Sequence, residues 1–83
     1  DAVGLRLRRL ASAAQVLVVT HSPQVAARAD AHWRISKAGD AETVRTAVEV
    51  LSLSDREEEI ARMLAGAQIT DAARAAARAL MDA

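Results

Sequence analysis

The sequence contains no cysteine, one proline and a single aromatic side chain, Trp33, among its 83 residues. Without cysteine, the segment can form no disulfide, no thiolate nucleophile and no zinc–sulfur site. With one aromatic ring, it is not expected to provide a platform that stacks nucleic-acid bases. No apolar run approaches the roughly 20 residues that a membrane helix requires, so we expect no membrane partner.

A net charge is also missing, because eleven basic and eleven acidic residues give a formal charge of zero at pH 7. Nucleic-acid interfaces normally have a basic excess, and the segment as a whole has none. Arg6, Arg8 and Arg9 form a local basic group. We interpret them as the solvated face of a helix, with contact to DNA or another phosphate group as the alternative.

A short apolar run occupies residues 16–19, within a predicted strand over residues 15–20, and leads directly into a polar turn at residues 20–23. The run is rich in β-branched residues and does not alternate with polar ones, which is typical of a strand buried on both faces. Ser22 is a good helix N-cap, and Pro23 suits the first position of a helix. Because open α/β sheets bind ligands at the carboxyl ends of their strands, His21 is the first candidate for a functional residue.

Periodic patterns before and after this strand predict one helix and one hairpin. Apolar residues at helical spacing predict a helix over roughly residues 2–13, with Val3, Leu7, Leu10 and Ala14 on its apolar face. Period-two alternation predicts an antiparallel hairpin over residues 31–51, joined by a two-residue turn at Gly39 and Asp40. One face of this hairpin is polar, so we place it toward the edge of a sheet.

The last third of the chain, residues 55–82, predicts two helices. Ser54 and Glu57 match a capping box at the start of the first helix, and Thr70 matches the cap of the second. We interpret the glutamates at 57–59 as a solvated helix start, with Glu58 paired to Arg62 one turn later. The predicted buried faces are Ile60, Met63, Leu64 and Ala67 in the first helix and Ala73, Ala76, Ala77 and Leu80 in the second.

From the residues alone, two interpretations of His21 stay open. It is either a surface group on a structural turn, or an imidazole that binds a phosphoryl oxygen or a water near neutral pH. His32 is interpreted as structural. No metal-ligand cluster and no glycine-rich phosphate loop are visible, and Ser22 has no orienting acid that would make it a hydrolase nucleophile.

The predicted strand also indicates that the segment is incomplete. A strand buried on both faces needs neighbouring strands on both sides and helices above and below. The hairpin cannot supply all of these, and the sequence does not begin with methionine. We therefore expect the missing neighbours to come from residues outside this sequence or from another chain.

Three runs of the sequence resemble the RecN family of DNA repair proteins. Residues 16–26 (Val-Leu-Val-Val-Thr-His-Ser-Pro-Gln-Val-Ala) resemble its H-loop, or switch-histidine, region. Residues 31–37 (Ala-His-Trp-Arg-Ile-Ser-Lys) resemble the strand that follows, although the family often has a second histidine at position 31. Residues 56–70 resemble its C-terminal helical segment. The first run would suit several ABC-type ATPases, and the third makes RecN the specific match.

The resemblance implies a fold and a place within it. RecN proteins are SMC-like, with coiled-coil arms and a P-loop, ABC-type ATPase head made from both ends of the chain. Residues 1–83 would be the C-terminal segment of that α/β head, with the H-loop region at 15–25. The expected architecture is a central buried strand, an edge hairpin at 31–51 and two C-terminal helices at 55–82.

The resemblance further implies ATP hydrolysis in DNA double-strand-break repair and recombination, in the cytoplasm at the nucleoid. By position, His21 would be the switch histidine that contacts the γ-phosphate of ATP and orients the attacking water. ATP and Mg²⁺ would be bound by the complete head, since the segment lacks the Walker A, Walker B and signature motifs and should be inactive alone. The implied partners are the N-terminal half of the head, a second head on ATP-driven dimerisation, and DNA.

Two alternatives to this assignment remain. The segment could be a non-catalytic interaction or dimerisation module in which the turn at residues 20–23 is only structural. It could also be the head segment of a different ABC-type ATPase.

Overall fold

The computed structural model describes residues 2–40 and 42–83 and has a mixed α/β fold. Its elements, in chain order, are α1 (Ala2–Ala11), α2 (Pro23–Ala26), β1 (Trp33–Gly39), β2 (Val44–Val50), α3 (Leu53–Ala65) and α4 (Asp71–Asp82). In the part of the chain that is described, none of the helices is long and apolar enough to cross a membrane.

The core lies where α2, α3 and α4 meet. Ile60 of α3 is completely buried there, surrounded by small side chains. These small neighbours are Ala26, Ala27, Ala61, Ala73 and Ala77. Alanine faces add little volume, so the helices can approach closely around Ile60. Helices α3 and α4 therefore pack against each other along these small side chains. Four larger side chains pack against this cluster from partly buried positions: Met63, Ile69, Leu80 and Met81.

The buried face of α3 is rotated from the predicted one. Leu64 and Ala67 are exposed, whereas Glu59 and Ala61 are buried beside Ile60. The sequence pattern placed the larger apolar side chains on the buried face. In the structure, the small side chain of Ala61 packs beside Ile60 instead, next to the alanines of α2 and α4. In α4, Ala73 and Ala77 are buried as expected, but Ala76 is exposed.

The start of α3 differs from the prediction as well. Its N-cap is Ser52, whose Oγ accepts a hydrogen bond from the Asp55 backbone N–H at 3.2 Å. The capping box at Ser54 is wrong, because the helix has already begun at Leu53. The cap predicted at Thr70 is confirmed, because its side chain accepts from the Ala73 N–H at 3.1 Å. Gly66 ends α3 at a positive φ of 80°.

The hairpin forms as predicted, but its turn is longer. Trp33 pairs with Val50 and Gly39 with Val44 in an antiparallel register, so four positions of sequence separate the last paired residues. The two-residue turn is therefore wrong. The Asp40 carboxylate accepts from the backbone N–H groups of residues 42 and 43 at 3.0 and 2.9 Å, and these bonds lower the pKa of Asp40. This side-chain contact favours the longer loop over a tight turn.

Residues 15–20 do not form the predicted buried strand. Within the described residues the sheet contains β1 and β2 alone, so this apolar segment has no strand to pair with. Leu17 is 78% exposed and Val19 is 87% exposed. A strand is held by ladder hydrogen bonds to a neighbour, and none is in place here. The central buried strand is therefore not formed in this structure, and residues 15–20 lie between α1 and α2 without helix or strand.

The apolar face predicted for α1 is also largely uncovered. The helix spans Ala2–Ala11, close to the predicted range, yet Gly4 is the residue it buries among those described. Val3 and Leu10 remain more than half exposed. The apolar sides of α1 and of residues 15–20 therefore both lack a covering layer in this structure.

Candidate functional site

The polar turn at residues 20–23 has a defined local geometry. The Ser22 N–H donates to Thr20 Oγ1 at 2.9 Å, and Ser22 Oγ accepts from the Val25 N–H at 3.4 Å. Pro23 is the first residue of α2, where its missing N–H costs no helical hydrogen bond. The Ser22 cap and the position of Pro23 at the start of α2 are confirmed, but the strand that the sequence predicts before this turn is not formed.

His21 lies at the tip of this turn with its side chain exposed. Its imidazole makes no hydrogen bond or ion pair to any residue in 2–40 or 42–83, whereas its neighbours Thr20 and Ser22 are both engaged. An imidazole at this place can donate to an oxyanion or accept from water without first breaking an internal contact. Both interpretations of His21 are compatible with this exposed and unengaged position.

His21 also lines a broad groove of about 1080 Å³. One wall consists of residues 15–20, and the others come from α1, β1 and the end of α3. The lining is mostly apolar. Its polar members include Arg8, Arg28, His32, Arg34, Glu59 and Arg62. Such a concave, largely apolar surface with a few polar groups can accept a packed layer of protein more readily than a small polar ligand.

Glu59 is the buried acid on the wall of this groove. Both of its carboxylate oxygens accept from Arg62 Nε, at 3.1 and 3.0 Å, and Arg34 Nη1 of β1 lies 3.6 Å from Oε2. The hydrogen bond from Arg62 is the main cause that lowers the pKa of Glu59. Arg34 also binds Glu49 across the hairpin at 2.9 Å, so this cluster ties the sheet to α3.

The interpretation of Glu59 as part of a solvated helix start is therefore wrong, and so is the predicted Glu58–Arg62 pair. Glu58 instead binds Arg74 of α4, with Nε to Oε2 at 3.0 Å. Glu57 likewise binds Arg78 of α4 at 2.8 Å. The sequence contains a signal for these pairs, because acidic residues recur on α3 and arginines recur on α4. Charges committed to such pairs hold helices together and do not form a general-base site.

His32 lies partly buried just before β1. Burial, followed by the nearby charge of Arg56, lowers the pKa of His32, while Glu59 opposes the shift. Its Nδ1 is buried and has no hydrogen-bond partner within the described residues. The imidazole is thus held toward its neutral form near pH 7, which agrees with the structural role predicted for it. Nor do residues 2–40 and 42–83 contain a cluster of three His, Cys, Asp or Glu side chains that could hold a metal ion.

The chain is closely similar to several curated bacterial proteins. It is 46% identical over 81 residues to the DNA repair protein RecN of Rickettsia bellii and 48% identical over 80 residues to that of Streptomyces coelicolor. RecN of Xylella fastidiosa is 47% identical over 81 residues. These alignments cover 96–98% of this chain but 14–15% of the length of each relative. No protein-family model matches the chain.

In the described residues, the fold combines helices with a two-stranded antiparallel sheet. This mixed α/β fold is consistent with a C-terminal segment of a larger α/β protein. The particular match is to RecN: the resemblance is confirmed along nearly the whole chain, which corresponds to the C-terminal part of those proteins.

Proposed function

We propose that this chain is the C-terminal part of an SMC-like, ABC-type ATPase head that acts in DNA double-strand-break repair and recombination, with His21 as its switch histidine. The similarity to proteins named DNA repair protein RecN supports the repair role. The observation that carries the site is the unengaged His21 imidazole, exposed on a turn that joins the apolar residues 16–19 to the N-cap of α2.

An exposed imidazole on a capped turn can perform the role proposed for His21 in ATP hydrolysis. In phosphoryl transfer, catalysis consists mostly of positioning and of stabilising charge on the transferred group. A histidine held on a capped turn can donate to a γ-phosphate oxygen or orient the attacking water. Bound ATP with Mg²⁺ would supply the phosphoryl group and neutralise its charge. The phosphate cradle and the Mg²⁺ ligands would come from the remainder of the head, since this chain contains neither.

Residues 16–19 would form a central strand of the complete head. This proposal is supported by the exposure of Leu17 and Val19 in a segment that pairs with no strand among the described residues. Pairing on both sides and coverage above and below would remove this apolar surface from water. The N-terminal half of the same head is the partner we propose for this pairing. A second head and DNA would be partners of the complete protein, in the cytoplasm at the nucleoid.

The test is ATP turnover by a complete RecN protein carrying this segment, with His21→Ala compared with the parent. We expect turnover to fall on the order of 10²-fold, as for other lost transition-state donors, with nucleotide binding largely retained. Lys37→Ala is the control, because Lys37 is exposed on β1 and lies outside the proposed site. Unimpaired turnover in His21→Ala would refute the role proposed for this residue.

A second candidate function is a non-catalytic interaction module, and the exposed apolar face of the hairpin favours it. Trp33, Ile35, Val48 and Val50 share that face and are each at least 55% exposed. A module of this kind would keep full ATP turnover in His21→Ala. It would lose association with its partner when Ile35 and Val48 are both changed to Thr, which preserves the β-branched backbone preference.

A further inference from the structure

The helix that follows His21 is too short to hold its own position. Helix α2 has four residues, Pro23–Ala26, and a single turn in isolation is unstable because nucleating a helix costs more than one hydrogen bond returns. Ser22 caps it at one end, and His21 is the residue immediately before that cap. The place of the His21 backbone therefore depends on whatever holds α2 against the rest of the chain.

Arg56 of α3 binds the segment that follows α2, at the opposite end of this short helix from His21. Its Nη2 donates to the carbonyl oxygen of Ala29 at 2.8 Å, across 27 positions of sequence. The Ala29 N–H in turn bonds the Ala26 carbonyl at 3.2 Å, so Ala29 closes the turn after α2. The Arg56 guanidinium is partly buried, and its Nε has no hydrogen-bond partner among the described residues. The hydrogen bond to Ala29 is solvent-exposed, and its charged donor makes it stronger than a bond from a neutral donor would be.

Two other surfaces hold α2 from its sides. Ala26 and Ala27 are buried against the core around Ile60. On the side of α1, a Cβ added at Gly4 would lie 2.8 Å from Arg28 Cγ and 3.3 Å from the Gln24 carbonyl oxygen. The approach of α1 to α2 at this point therefore requires glycine, because any larger residue would displace its neighbour.

We propose that Arg56 is a positioning residue for His21: by binding the Ala29 carbonyl it fixes α2, and through α2 it fixes the turn that carries the imidazole. This inference rests on the role proposed for His21. Arg56 contacts no nucleotide in this scheme and acts through geometry alone. Displacement of a reacting group by about 1 Å can lower a rate by about 10²-fold, so loss of this contact should be visible in turnover.

The experiment measures kcat and KM for ATP in the complete protein carrying Arg56→Met or Arg56→Lys. Methionine keeps much of the apolar stem but donates no hydrogen bond, and we expect kcat to fall by about 10- to 100-fold with KM little changed. Lysine retains a charged donor and should restore most of the lost kcat. Arg78→Met is the matched control: it removes an arginine that contacts α3 through Glu57 but does not touch α2, and kcat should stay within about twofold.

A double variant separates positioning from general damage. If Arg56 acts through His21, adding Arg56→Met to His21→Ala lowers kcat no further, because residues that act as a unit are non-additive. A further loss in the double variant, or an unchanged kcat in Arg56→Met alone, overturns the proposal. If Arg56→Met does not fold, as judged by its melting curve, Gly4→Ala displaces α2 from the opposite side and must give the same non-additive pattern.

The outcomes also distinguish this inference from the proposed function. If His21→Ala leaves turnover unchanged, the function proposed for His21 fails and the role of Arg56 falls with it. If His21→Ala lowers turnover and Arg56→Met does not, only the role of Arg56 is wrong.

Discussion

Truncation of Ile60 should remove much of the stability of the helical core. In the described part of the chain, Ile60 is the largest side chain that is fully buried. An isoleucine-to-alanine change in a core costs about 2–5 kcal/mol, from lost transfer free energy and from the cavity left behind. The fully buried neighbours of Ile60 are alanines, which have no flexible side chain to fill the space, whereas Met63, Ile69, Leu80 and Met81 pack against the same cluster from partly buried positions and can shift toward it. We therefore expect a loss near the middle of that range, about 3 kcal/mol.

This loss is large compared with the stability of a chain of this size. At roughly 0.05–0.15 kcal/mol per residue, 83 residues would have a free energy of unfolding of about 4–12 kcal/mol. Urea denaturation followed by circular dichroism at the helical band measures the change. Leu53→Ala is the matched control, because Leu53 lies on the same helix and is 71% exposed, and it should change stability by less than about 0.5 kcal/mol. Equal losses for Ile60→Ala and Leu53→Ala would refute the placement of the core.

Two further predictions test the start of α3 and the buried acid on it. Ser52→Ala should lower the free energy of unfolding by about 1 kcal/mol, whereas Ser54→Ala should leave it nearly unchanged. If urea denaturation instead shows the larger loss for Ser54→Ala, the helix is capped by Ser54 and not by Ser52. The pKa of Glu59 is lowered in the folded state, so its contribution to stability is complete above the ordinary glutamate value of 4.5 and is lost as pH falls through the folded value. Glu59→Gln should thus flatten the acid side of a stability–pH curve, and an unchanged curve would show that Glu59 is not held by its arginines.

Local patterns predicted most elements of the fold. Helical spacing gave α1, α3 and α4 to within a few residues, and alternation gave both strands of the hairpin, because each of these signals is contained within a short window of sequence. The caps at Ser22, Thr70 and Gly66 were also readable, since capping depends on residues no more than four positions apart.

The features that sequence reasoning missed depend on partners far along the chain. Glu58 binds Arg74 and not the nearer Arg62, because α4 brings a second arginine within reach. Glu59 is buried because β1 and α3 meet over it, which no local pattern records. Residues 15–20 show the opposite case: their composition is that of a buried strand, but a strand needs neighbours, and the described chain supplies none.

The position of the candidate site in the chain was predictable from the sequence, but the contacts that surround it were not. The order of apolar run, His21 and Ser22 cap located the turn from the sequence alone. The contact between Arg56 and the Ala29 carbonyl joins residues 27 positions apart, and an arginine in the first turns of an acidic helix gave no signal of it. Positioning contacts of this kind emerge from packing and are visible only in three dimensions.

Amide hydrogen exchange at residues 16–19 tests the central claim most directly, namely that this apolar run is a strand whose neighbours belong to the rest of the head. The account predicts rapid exchange in the 83-residue chain and strong protection in a complete RecN protein carrying the segment. Equally rapid exchange in both, or strong protection already in the short chain, would contradict it.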